Sequence, residues 1–237
     1  MLAESKVVFL LDVDNTLFDN DRFGEDLSAR LDQAFGMPER ERYWAIYHAL
    51  RDEVGFADYL GAMQKFRVGL DEDTDLLKVA GFVLDYPFAE NLYQGALEVI
   101  AHLRTLGLPV ILSDGDIVLQ PRKIQHARLS HAVEGRVLVY LHKERMLDPM
   151  QRRFPASHYV MVDDKPNLLA AMKRVLGNKL TTVFVRQGHY AAEAANTVID
   201  PPPDLVIDHI ADLLEYDLSR FQAPAPLPTP GQSLETK

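Results

Sequence analysis

Residues Val7–Phe18 read VVFLLDVDNTLF, five apolar residues running straight into an aspartate, with a second aspartate two positions later. A continuous apolar run without alternation suits a strand buried on both faces, as in a parallel sheet. Burying an unpaired carboxylate is costly. The two aspartates must therefore lie past the strand, in water or beside a partner that wants their charge.

Similar runs recur along the chain: PVIL at 109–112, VLVYL at 137–141, YVMV at 159–162, TTVFV at 181–185 and the weaker LVI at 205–207. Helical patterns separate them. Leu97, Ile100, Leu103 and Leu106 recur at three-residue spacing ahead of Gly107, which reads as a C-cap. Leu168, Leu169, Met172 and Leu176 lie between Pro166 and Gly177, the proline early and the glycine at the end of a helix. Strands alternating with helices predict an α/β protein, a Rossmann-like three-layer parallel-sheet core.

The alternation breaks between Asp19 and Leu92. There the apolar residues recur helically, as Phe23, Leu27, Leu31 and Phe35, then Trp44, Tyr47 and Leu50, then Phe56, Tyr59, Leu60, Met63 and Phe66. So long a stretch is no simple loop. We read 1–18 and 93–221 as the core, 19–92 as an inserted all-helical cap, and the Pro-rich tail 222–237 as extended or disordered.

Composition narrows the function classes. The formal net charge is −10 at 237 residues, which disfavours nucleic acid or an anionic membrane as partner, since both need clustered Lys and Arg. Without cysteine there can be no disulfide, thiolate metal site or cysteine nucleophile. No run approaches the roughly 20 apolar residues of a membrane span, and Val7–Leu11 is too short for a signal-peptide core. The expectation is a cytoplasmic protein, with monomer or homodimer left open.

The residues just past each apolar run carry the chemistry. VVFLL is followed by Asp12, PVIL by Ser113, VLVYL by His142 and Lys143, and YVMV by Asp163 and Asp164. In open α/β sheets ligands bind beyond the carboxyl ends of the strands, so these residues are expected to converge. Asp12, Asp14, Asp163 and Asp164 would repel one another unless a divalent cation joined them. An all-oxygen ligand set favours Mg²⁺. Carboxylates, Mg²⁺, a lysine and a serine together suit phosphoryl transfer. Two residues apart in an extended chain, Asp12 and Asp14 point to the same side. One carboxylate can attack phosphorus while the other protonates the leaving oxygen, and Thr16 can hydrogen-bond the site.

At these positions the sequence resembles the haloacid dehalogenase (HAD) superfamily. Its Asp-x-Asp-x-Thr motif matches Asp12-Val13-Asp14-Asn15-Thr16, its Ser/Thr motif Ser113, its Lys/Arg motif Lys143 and its acidic motif Asp163-Asp164. The resemblance implies a phosphohydrolase with Asp12 as nucleophile, Asp14 as general acid and then base, and Thr16, Ser113 and Lys143 at the phosphate. It implies Mg²⁺ on Asp12, on the backbone carbonyl of Asp14 and on Asp164, with Asp163 direct or through water. The insertion falls where the superfamily carries a substrate-selecting cap.

Lys143 lacks the Lys-Pro-x-Pro context of many capped relatives, which leaves Lys123 and Arg136 as alternative phosphate cations. Lys165 is unusual after the acidic pair and is expected to pair with it. Arg22, Tyr43, His48 and Arg67 are read as solvated or structural, and His189 as a loop residue. The expected substrate is a small phosphorylated metabolite. Transfer to a second hydroxyl, as in a mutase, and non-catalytic binding of a phosphometabolite are the alternatives. Halide displacement is disfavoured, because it needs no leaving-group acid.

Overall fold

The computed structural model describes residues 5–70, 74–194 and 197–218. Six strands form one sheet: β1 (Ser5–Leu11), β2 (Leu108–Asp114), β3 (Val137–Tyr140), β4 (Ala156–Asp163), β5 (Leu180–Val185) and β6 (Leu205–Ile207). They lie in the order β3-β2-β1-β4-β5-β6, and all pairings are parallel. Each falls on an apolar run picked out above. β2 and β4 extend further than those runs, so Ser113 and Asp163 are strand residues and inherit the rigidity of the sheet.

Alternation along β1 shows why the run had to be apolar throughout. Val7, Phe9 and Leu11 belong to one hydrophobic cluster, with Val99, Ile100 and Leu103 of helix Ala96–Leu106. Val8 and Leu10 belong to another, with Met150 of helix Leu147–Arg153 and Leu169 and Met172 of helix Pro166–Leu176. Successive strand side chains face opposite ways, so helices cover both faces and the molecule has three layers. Gly107 closes the first of those helices through its N–H to the Leu103 carbonyl at 2.9 Å, as expected.

Among the described residues the insertion holds the α-helices α1 (Asn20–Phe35), α2 (Met37–Val54), α3 (Tyr59–Phe66) and α4 (Thr74–Asp85), with a 3-10 turn at Phe88–Asn91. Asp19 caps α1 by accepting the Arg22 N–H at 2.9 Å. Phe23, Leu27 and Leu31 are the buried stripe of α1, which packs on α2 and α4. The chain leaves and re-enters the core side by side: the Asp19 N–H donates to Asn91 O at 2.8 Å and the Tyr93 N–H to Leu17 O at 2.9 Å. In order after the insertion come α5 (Ala96–Leu106), α6 (Leu119–His126), α7 (Leu129–Ala132), α8 (Leu147–Arg153), α9 (Pro166–Leu176) and α10 (His189–Ala194). Among the described residues no helix is long and apolar enough to cross a membrane. The expected tail at 222–237 lies outside the described residues.

Candidate active site

Sheet order determines where the site forms. The chain builds outward from β1 through β2 to β3, then returns to the other side of β1 with β4. Such a reversal opens a crevice at the carboxyl ends of the strands. Register places the acidic residues level with one another there. Leu11 pairs with Val162 and with Ile111, and the Asp12 N–H donates to Val162 O at 3.0 Å. Asp12 therefore stands beside Asp163, across a single strand spacing.

Asp12, Asp163 and Asp164 are buried and each offers an oxygen within 4.8 Å of the others. Lys143 enters this cluster from the turn after β3. Its ammonium donates to Asp12 and lies 2.7 Å from Asp163 Oδ2. Lys143 is 1% exposed. Burial works to lower its pKa, but Asp12 and Asp163 hold the ammonium far above the usual lysine range. One lysine cannot satisfy three carboxylates. Burial, with Asp163 and Asp12 close by, pushes Asp164 well above the ordinary carboxylate range, and both of its buried oxygens lack a hydrogen-bond donor. Burial raises Asp163 as well, against the pull of Lys143. A cavity-facing neighbour, Asp114, is pushed up to about 6, by burial first, although Lys143 opposes the rise; its Oδ1 accepts the Lys143 N–H at 2.7 Å.

These orphaned oxygens are the fit test for a cation. Hard oxygen donors, excess negative charge and two unsatisfied carboxylate atoms in one buried place match what Mg²⁺ requires. Asp12, Asp163 and Asp164 are the side chains that would hold it.

Asp14 has a different environment. Its carboxylate stands outside the three-carboxylate cluster and takes the Lys123 ammonium at 2.5 Å on Oδ1. Gln120 Nε2 lies 3.3 Å from its Oδ2 and donates to Ser113 Oγ at 3.0 Å. Gln120 and Lys123 are three residues apart on α6, which puts them on one face. Lys123 is as buried as Lys143 and donates also to Asn20 Oδ1 at 2.9 Å. Its ammonium sits 5.0 Å from the centre of the Phe18 ring. Lys143 thus faces Asp12 while Lys123 faces Asp14. Arg136, the other alternative cation, is held instead by Pro109 O and Glu134. Thr16 is buried, and its hydroxyl has no hydrogen-bond partner among the described residues.

The intervening Asn15 takes φ +57°, a left-handed turn that asparagine tolerates better than most residues. Its side-chain oxygen accepts the N–H of Asn20 at 3.0 Å and its Nδ2 donates to Asp21 at 3.0 Å, tying the turn after β1 to α1. His189 opens α10 and bonds Asp21 at 2.6 Å, so it is a bridge to the insertion, where a plain loop residue was expected. Burial would raise Asp21, yet His189 and Asn15 keep it below its ordinary value. A cavity of about 90 Å³ lies over the site, with Asp14, Asp114 and Lys165 on the core side and Tyr47, Arg51 and Phe56 on the insertion side. His189 and Tyr190 complete its wall. Arg22, Tyr43, His48 and Arg67 do not line it. Lys165 feels Asp12 and Asp164, which hold it above the usual lysine value although burial works the other way; it makes no ion pair with either among the described residues.

The fold and these residues define a hydrolase of known type. A family model for haloacid dehalogenase-like hydrolases matches residues 7–175, and the chain belongs to that family. It is similar to the crystal structure of a haloacid dehalogenase-like hydrolase from Burkholderia xenovorans LB400, at 52% identity and TM-score 0.84, over 90% of this chain and 99% of that one. The likeness to the HAD-hydrolase YfnB from Bacillus subtilis, a structure bound to magnesium, is 18% identity and TM-score 0.61, over 89% and 97% of the two chains. L-2-haloacid dehalogenase from Xanthobacter autotrophicus is similar at 17% identity and TM-score 0.56, over 88% and 96%. These last two likenesses are of fold alone. A search of curated proteins found no match.

Proposed function

We propose that the chain is a Mg²⁺-dependent phosphohydrolase of a small phosphomonoester, working through an aspartyl-phosphate, with residues 19–92 as the cap over the site. The observation that carries this reading is the anchored second carboxylate. Asp14 lines the cavity and is held there by Lys123 and Gln120. Displacing a halide requires no acid at the leaving group, whereas expelling an alkoxide does.

In the first step an Asp12 oxygen forms a bond to phosphorus, and the ester P–O bond breaks. Asp14 enters this step as the carboxylic acid and passes that proton to the departing oxygen. Lys143, ion-paired to Asp12 and Asp163, supplies fixed positive charge beside the transferring group, with Ser113 at the end of β2. In the second step Asp14 takes a proton from water as the water oxygen attacks phosphorus, and the Asp12–phosphorus bond breaks to release phosphate. Bound at Asp12, Asp163 and Asp164, Mg²⁺ would neutralise phosphate charge. Preorganised charge of this kind is commonly the largest single contribution to catalysis.

The test is phosphate release from a panel of phosphomonoesters with Mg²⁺, alongside halide release from L-2-chloropropionate. We expect phosphate release, lost with EDTA and in Asp12→Asn, and no halide. Halide release without phosphate release would overturn the reading.

A further inference from the structure

Arg51 and Lys165 both line the cavity of about 90 Å³. Neither forms an ion pair among the described residues, although acidic side chains outnumber basic ones by 35 to 25 in the chain. His189, the other basic group on that wall, already has Asp21 as partner. What Arg51 and Lys165 share is Tyr190. Arg51 donates to its hydroxyl, with the guanidinium carbon 5.6 Å from the ring centre, and the Lys165 ammonium lies 5.1 Å from the same centre. A phenol orients two cations without neutralising them. The Arg51 charge is left for something that enters the cavity, with Lys165, which also feels Asp12 and Asp164, beside it.

We infer that the substrate carries a carboxylate beside its phosphate, received by Arg51 with Lys165 at its side, so that the preferred substrates are short phosphorylated carboxylic acids. The inference rests on the phosphatase reading above and narrows it to a substrate class. Three observations support it. The guanidinium keeps further N–H groups beyond the one given to Tyr190, and its planar edge suits a carboxylate. The cavity, at about 90 Å³, suits a short ligand, although Arg51 also lines a neighbouring cavity of about 560 Å³. Arg51 comes from the insertion and Asp14 from the core, and both line this one cavity.

The experiment compares kcat/KM for phosphoglycolate, ethyl phosphate and ethylene glycol bisphosphate, each with Mg²⁺. The carboxylated ester is expected to exceed ethyl phosphate by about 10- to 100-fold, the range of a charge-assisted hydrogen-bonded contact. In Arg51→Met that ratio falls below about threefold, and Arg51→Lys is intermediate because it keeps the charge without the fork. Both esters are read on the same preparation, so any misfolded fraction cancels from the ratio. Equal kcat/KM for the two esters in the wild type overturns the inference and leaves the phosphatase reading standing. A bisphosphate preferred over phosphoglycolate overturns the carboxylate assignment, and an unchanged ratio in Arg51→Met overturns the role of Arg51. Phosphate release from none of the three overturns the phosphatase reading and this inference with it.

Discussion

Two buried lysines divide the work at the residue scale. Lys143 sits with Asp12 and Asp163, and Lys123 with Asp14. Lys143 could be anticipated because it follows an apolar strand. The sequence offers Lys123 only as an alternative phosphate cation; its pairing with Asp14 is not legible there, because it lies mid-helix and only the docking of α6 turns it toward Asp14. Its three-residue spacing from Gln120 was the available signal, and spacing alone says which residues share a face without saying what that face meets. Lys123→Met should leave Asp14 without its cation and lower kcat by about 10²-fold or more, the scale of a lost general acid–base group. Removing one member of a buried ion pair costs up to about 3–5 kcal/mol; Asp14 is 22% exposed, so a smaller loss of stability is expected. The double variant Lys123→Met/Asp14→Asn should regain stability without regaining rate. Denaturant melts and single-turnover kinetics on both variants check this, and a Lys123→Met enzyme with wild-type kcat would remove the positioning role.

At the scale of elements, strands were legible because a parallel sheet buried on both faces must be apolar at every position. The short β6 run was the weakest, and it is secured by polar contacts as well as packing. Asp204, just before β6, accepts from Lys173 of α9 at 2.8 Å and from the N–H and hydroxyl of Thr182 in β5 at 2.8 and 3.0 Å. Burial would raise this carboxyl, but Lys173 and Thr182 hold it below its ordinary 3.8. A carboxyl depressed in the folded state adds stability above its unfolded pKa, and that stability is lost as pH falls through the lower folded value. Wild type should therefore melt above Asp204→Asn at pH 7, with the gap closing below about pH 3.8. The gap will be small, because Asp204 is partly solvent-exposed. Thermal melts of both proteins at pH 7 and pH 3 test it; a gap that widens in acid contradicts the assignment.

Across the whole molecule, the dominant electrostatic feature is the carboxylate cluster at the point where strand order reverses. Sheet packing puts Asp12, Asp163 and Asp164 together, and only Lys143 ion-pairs with them among the described residues, so without a cation the cluster should work against stability. Mg²⁺ that binds the native state stabilises it by roughly 2.7 kcal/mol at a hundredfold excess over Kd, a shift of several degrees in Tm. Asp164→Asn removes one of the crowded carboxyl groups. In EDTA it should melt no lower than wild type, and Mg²⁺ should raise the wild-type Tm while leaving that of the variant in place. Calorimetry with and without Mg²⁺ decides the point, and a wild-type Tm indifferent to Mg²⁺ would count against the metal site.

By itself the sequence determined the strands, the helical character of the insertion, and the residues at the strand ends, because hydrophobic period and the residue after each run are local properties of the chain. VVFLLDVDNTLF already placed Asp12 and Asp14 at the end of a buried strand. Only the tertiary structure decided that Asp14 leaves the carboxylate cluster for Lys123, that His189 bridges to Asp21, and that Arg51 faces the site from α2. Each of those pairings joins residues far apart in the chain, and such contacts depend on the angle at which one packed layer meets another, which no local pattern encodes.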